Sequence, residues 1–179
     1  MSRNANPYST LLSALTGALE ELSASGNPGC GYTGLVVQTG VFRPHTLPDF
    51  EKYCVFLSIP SRPWEERRVA TRTIQDVLRV DMNLLVKNDS EADSLLGSTD
   101  GQMGLFQFVK DAKDHLRTHT LNGLLDKTYD EPGGDAGTGG GGGIDFENVQ
   151  QGLESGGHDF VHRARMTFVG RMQPYCHGK

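Results

Sequence analysis

The sequence predicts an α+β domain: an antiparallel or mixed β-sheet of about four to five strands with two main helices packed on it. Three observations predict it. Apolar residues recur at three-to-four-residue spacing in 9–24 and 103–118, the helical period. They alternate with polar residues in 77–87 and 159–172, the strand period. The chain has 179 residues, enough for one domain with one sizeable core. The reading is therefore a single domain over 1–179, interrupted by a flexible glycine-rich insertion at 131–157.

Each element follows from its residues. In 9–24, Leu11, Leu12, Leu15, Leu19 and Leu22 form one apolar stripe, with Ser9 or Thr10 as the expected N-cap and Gly26 as the stop. Gly17 weakens that helix by up to about 1 kcal/mol relative to Ala, so packing must hold it. The same N-terminal stretch has a broken apolar run and no small-residue cleavage pattern, so it reads as a helix rather than a signal peptide. The turn cluster 27–34 precedes a short strand at 35–39.

In 52–59, Tyr53, Val55, Leu57 and Ile59 alternate with Cys54, Phe56 and Ser58, so both faces are largely apolar. That predicts a central strand covered on both sides. Pro60 and Pro63 end it, and the charged stretch 61–68 reads as an exposed bend. An extended piece over 69–74 leads into 77–87, where Leu78, Val80, Met82, Leu84 and Val86 share one face. Leu85 alone interrupts the polar row. Residues 89–102 read as a polar connection. In 103–118, Leu105, Val109, Ala112 and Leu116 form a helical stripe widened by Phe106 and Phe108, and Leu121, Leu124 and Leu125 extend the apolar character.

The insertion at 131–157 holds 11 of the 23 glycines, too little side chain for a core. The run Gly139–Gly143 is followed by Ile144, Asp145, Phe146 and Glu147, where a phosphate-binding loop needs Lys and Ser or Thr. It reads as a linker. In the closing strand Phe160, His162, Ala164, Met166, Phe168 and Met172 point one way, and Arg163, Arg165, Thr167, Val169 and Arg171 the other.

Charge narrows the function classes. The net charge of −5 hides an asymmetry: 9 basic and 8 acidic groups in 1–87, 4 and 13 in 88–157, and 4 and 1 in 158–179. A globally basic nucleic-acid binder is disfavoured. No apolar run approaches the roughly 18 residues of a membrane span. Cys30, Cys54 and Cys176 are odd in number and show no C-x-x-C pairing, which points to a reducing assembly compartment.

Catalytic and metal signatures are weak. His115 and His119 stand four apart on the predicted helix, but Leu116 occupies the position where a zincin carries Glu. Third ligands are conceivable from Asp111, His158 or His162, and Cys176–His177 adds one more capable pair. No set converges, so the expectation is no metal, no cofactor and no catalytic residue. No G-x-S-x-G elbow is present, and Glu20–Glu21 and Glu65–Glu66 are adjacent carboxylates on expected surface. The informative charges are Arg163, Arg165 and Arg171. Like charges on one strand face need opposing partners, either an acidic cross-strand neighbour such as Asp81 or another subunit.

Read in order, the pieces YCVFLSIP (53–60), RRVATRTIQDVLRVDMNLLVKN (67–88) and HDFVHRARMTFVGRMQPY (158–175), with the two helices, form a pattern. It resembles the tail terminator proteins of long-tailed bacteriophages, also called tail-completion or head–tail joining proteins. The resemblance covers most of the chain by pattern, and the glycine-rich insertion departs from compact members. It implies a non-enzymatic virion protein of the tail or neck, assembled in the host cytoplasm. Such a protein forms a closed ring, commonly six-fold, that caps the head-proximal end of the tail tube. Its implied partners are other copies of itself, the tail tube protein and the head connector or stopper protein. DNA passes through the ring without sequence-specific binding, and no membrane is involved. Another neck or tail-tube component would share these traits. A small cytosolic enzyme is the reading from a different class.

Overall fold

The computed structural model describes residues 6–24, 31–43, 47, 49–119, 121, 123–125, 145–151 and 160–176. The α+β class holds: a mixed sheet carries two longer helices on one face. Helix α1 (Pro7–Glu20) continues into a 3₁₀ turn, Glu21–Ser23. Its N-cap is Asn6, whose side chain accepts from the Tyr8 N–H, with Pro7 pre-set for the first helical position. Ser9 and Thr10, the expected caps, instead donate their hydroxyls back to the Asn6 carbonyl.

Strands β1 (Val36–Gly40), β2 (Tyr53–Ser58), β4 (Thr73–Asn88), β6 (Phe160–Arg171) and β5 (Asp145–Gln151) lie side by side in the order β1-β2-β4-β6-β5. β1 runs parallel to β2, and the other pairs are antiparallel. β4 is the spine, 16 residues long. Its first half also pairs with β3 (Trp64–Ala70), and its start with β7 (Tyr175–Cys176). Between β4 and β6 lie α2 (Glu91–Leu96) and α3 (Leu105–Thr118).

Three sequence expectations are corrected. The exposed bend at 61–68 is largely strand: Trp64–Arg68 pairs with Ile74–Leu78, and the chain reverses at 71–72. An edge strand facing solvent keeps its hydrogen-bond ladder without apolar alternation, so charge hid it. The polar connection 89–102 contains α2, capped by Ser90 accepting from the Asp93 N–H. Within the insertion, Asp145–Gln151 is a strand on the free edge of β6, with a register shift at Asn148–Gln150. Its ladder comes from a distant partner, which local glycine content cannot report. The run Gly139–Gly143 lies outside the described residues.

One face of the sheet carries the main core. Val55, Leu57, Leu78, Val80, Met82, Leu84, Ala164 and Phe168 pack under Leu11, Leu15 and Leu19 of α1 and Leu105, Phe108 and Leu116 of α3. Tyr32 meets Tyr53 edge to face and Phe108 at a tilt, with centroids at 5.0 and 4.6 Å, and its hydroxyl donates to Asp111 at 2.6 Å. Phe106, counted in the apolar stripe, is exposed instead. Gly104 sets the α2–α3 corner. A Cβ there would lie 2.3 Å from the Gly97 nitrogen and 2.5 Å from the Leu95 oxygen, so no side chain fits.

Candidate functional site

The second face of the sheet is built differently. Leu85, the break in the polar row of β4, belongs to a smaller apolar cluster with Phe50, Cys54 and Val161. Val36, Phe42, Leu47 and Phe56 pack against it, so the segment after β1 folds over this half of the face. Phe42 and Phe56 meet edge to face at 5.5 Å. In the other half Val77, Asp81 and Asn83 are buried and, among the described residues, Arg165 is exposed.

At the boundary between the halves stand Arg163 and Arg165, with Arg171 further along the closing strand. Their alternation places all three on this face, as expected, but their surroundings differ. Arg163 is buried, with its guanidinium carbon 4.7 Å from the Phe42 ring centroid, so it is not the solvated residue that alternation alone suggests. Arg165 is half-exposed and donates to Asp81 Oδ2 at 2.9 Å, while the Thr167 hydroxyl donates to Oδ1 at 2.8 Å. Asp81 is the cross-strand acid proposed from sequence. Arg171 lies partly buried at the far end of the strand. Asn83 donates to the Phe56 carbonyl at 3.3 Å, so the polar residues here are tied to the sheet.

Arg163, Arg165, Asp81 and Asn83 line a groove of about 610 Å³ whose rim includes Val41 and Ile59. Those two are 78% and 61% exposed, too apolar to leave in water without cost. Around the groove Arg165 is held by the Asp81 carboxylate, Arg163 lies over the Phe42 ring, and the exposed aliphatic side chains of Val41 and Ile59 form the border.

Two constellations elsewhere bear on chemistry. Ser94, His162 and Glu91 lie together in the order of a hydrolase triad. Ser94 Oγ is 2.5 Å from His162 Nδ1, and His162 Nε2 is 4.0 Å from Glu91 Oε1. The Ser94 hydroxyl, however, donates to the Glu91 carbonyl at 2.9 Å and is fully buried, so it accepts from the ring and meets no substrate. Burial lowers the His162 pKa from 6.5, against the opposing pull of Glu91. Cys54 is likewise buried, and desolvation pushes its thiol up to about 12, far from a nucleophilic thiolate.

The second constellation gathers His115 and His119, as the sequence allows, but not with Asp111 or His162. Asp111 accepts from Tyr32 and from Gln107, the latter at 2.7 Å. His158 and His177 lie outside the described residues. The third group is Glu21, from the turn that ends α1. Sequence reasoning missed it because nothing local links residue 21 to residue 115. Its only trace was the Glu20–Glu21 pair at a helix end.

No protein-family model matches the chain, and no curated protein matches it.

Proposed function

We propose that this chain is a virion assembly protein that closes into a ring on the head-proximal end of a phage tail tube and joins the tail to the head connector. The resemblance of its element order to tail terminators supplies the idea. The observation that carries it is the half-covered second face of the sheet, where Arg165 and Asp81 sit beside exposed Val41 and Ile59. A ring requires each subunit to offer two different patches repeated by a rotation that closes. The arginine groove is one such patch. The acidic end of β4, where Glu51, Asp89, Asp93 and Asp100 line an open cleft, is a complementary second.

The enzyme reading loses support from the same side chains. The serine next to a histidine is inaccessible, and the thiol is protonated. The net charge of −5 suits passage of DNA without sequence-specific contact.

Arg163 lies beneath Phe42, so reversing its charge disturbs the fold as well as any boundary. Arg165→Glu alone is the cleaner probe. By native mass spectrometry, wild type is expected to form one closed ring and Arg165→Glu mainly monomers of unchanged circular dichroism. Headless tails capped by wild type and left uncapped by the variant support the assignment. Wild type that never associates with tails overturns it, and long cylinders of wild type assign the chain to the tube instead.

A further inference from the structure

We propose that Glu21, His115 and His119 form a binding site for one divalent transition-metal ion, with zinc the species that best fits the donors. The inference is independent of the ring assignment. The two histidines lie four residues apart, on the last turn and C-cap of α3, so the helix places them on one side. Their ring centroids are 5.4 Å apart. Glu21, opening the 3₁₀ turn after α1, brings its carboxylate to both: Oε2 lies 3.3 Å from His115 Nε2, and Oε1 lies 3.4 Å from His119 Nε2.

The carboxylate thus faces both rings, one oxygen to each, so a small shift lets one ion share all three side chains. One donor atom from each of the three residues lies within 4.8 Å of the others. Two imidazoles and one carboxylate with an open fourth position form a known zinc set, and imidazole disfavours magnesium and calcium. The histidine side chains are one-fifth exposed and Glu21 about half, so an ion reaches them from solvent. An open cleft of about 580 Å³, lined by Ser9, Ser13 and Gly17 of α1 as well as Glu21 and His119, provides the approach.

Without metal the cluster is a hydrogen-bonded clasp, which sets the strength of binding. His115 Nε2 meets the Ala18 carbonyl at 2.8 Å, so it carries the proton there. His119 Nδ1 accepts from the Leu121 N–H at 3.0 Å, which leaves the proton on Nε2. A metal on both Nε2 atoms moves each proton to Nδ1. Both hydrogen bonds are then given up, with no net change in protonation of the neutral rings. Binding is therefore expected in the micromolar range, below that of a preorganised zinc site. Its structural effect is to fasten the end of α1 to the end of α3.

The test uses the full chain without a histidine tag. Zinc chloride is titrated by calorimetry, and cobalt(II) is added as a spectroscopic probe. One ion per chain is expected, with the visible d–d band of tetrahedral cobalt and a melting temperature that rises with zinc concentration. His119→Ala and Glu21→Gln, both near the surface, should keep the circular dichroism of wild type and lose the band. His162→Gln should keep it. Absence of saturable binding at millimolar zinc overturns the proposal, as does binding that survives in both ligand variants.

Discussion

The two faces of the sheet are specified by different physics. On the helix-covered face almost every inward position is aliphatic or aromatic, and the partners are α1 and α3, whose stripes have the matching period. Any residue of the right size serves, so the pattern is visible in sequence. On the opposite face the positions hold Cys54, Leu85, Val161, Arg163, Arg165, Asp81 and Asn83. Their roles depend on where one irregular segment, carrying Phe42 and Phe50, comes to rest. A regular face is written in periodicity; an irregular face is written in particular partners.

The largest expected effect separates the faces directly. Phe108 is fully buried and touches Tyr32 and Tyr53. Phe108→Ala should cost about 3–5 kcal/mol, as large-to-small changes in a closed core do. Phe42 is only partly buried, and its cover is a loop that can settle, so Phe42→Ala should cost clearly less. Urea denaturation of both variants checks the contrast. Equal losses would mean that the second face is as tightly packed as the first.

This difference explains what could be read in advance. α1, β2, β4, α3 and β6 were legible because burial on the helix side imposes a period on each. β3 was not, since its residues face solvent and carry charge: Glu65 pairs with Arg79 at 2.7 Å, which lowers the Glu65 pKa. α2 carries a signal in Ser90-x-x-Asp93, a capping box that its polar neighbours obscure. β5 left none, because its register is set by β6. At the site, Asp81 was foreseeable as the partner of Arg165 from strand alternation. The burial of Arg163 was not, because Phe42 lies 121 positions away in sequence and reaches it through a loop.

His162 sharpens the comparison through pH. It is a buried polar residue on the helix-covered face, where β6 meets α2. Burial holds its folded pKa below the unfolded 6.5. The unfolded chain therefore binds the proton more readily. Stability from this group is fully present above about pH 6.5 and is lost as pH falls through that value towards the folded pKa, by at most about 1.4 kcal/mol per pH unit. Thermal melts of wild type and His162→Gln between neutral and mildly acidic pH read the effect. The variant should show a shallower acid slope. An unchanged slope would assign the acid sensitivity to other groups.

The smallest expected effect on stability carries the most functional information. Arg165 pairs with Asp81 at 2.9 Å, but its side chain is 52% exposed, so water and salt screen the attraction. Thr167 also holds Asp81, and the carboxylate keeps a partner when the guanidinium is removed. Arg165→Ala should therefore shift unfolding by only about 0–1 kcal/mol. A contact across a subunit boundary would behave otherwise, because a partner excludes the water that weakens the pair in the monomer. Its loss then raises dissociation steeply while the monomer melts as before. Comparing unfolding with dissociation of the proposed ring for Arg165→Ala at low and high salt separates the two cases. A variant that assembles as wild type does would leave Arg165 a solvated surface residue. Loss of assembly around an intact monomer would place Arg165 at the proposed subunit boundary.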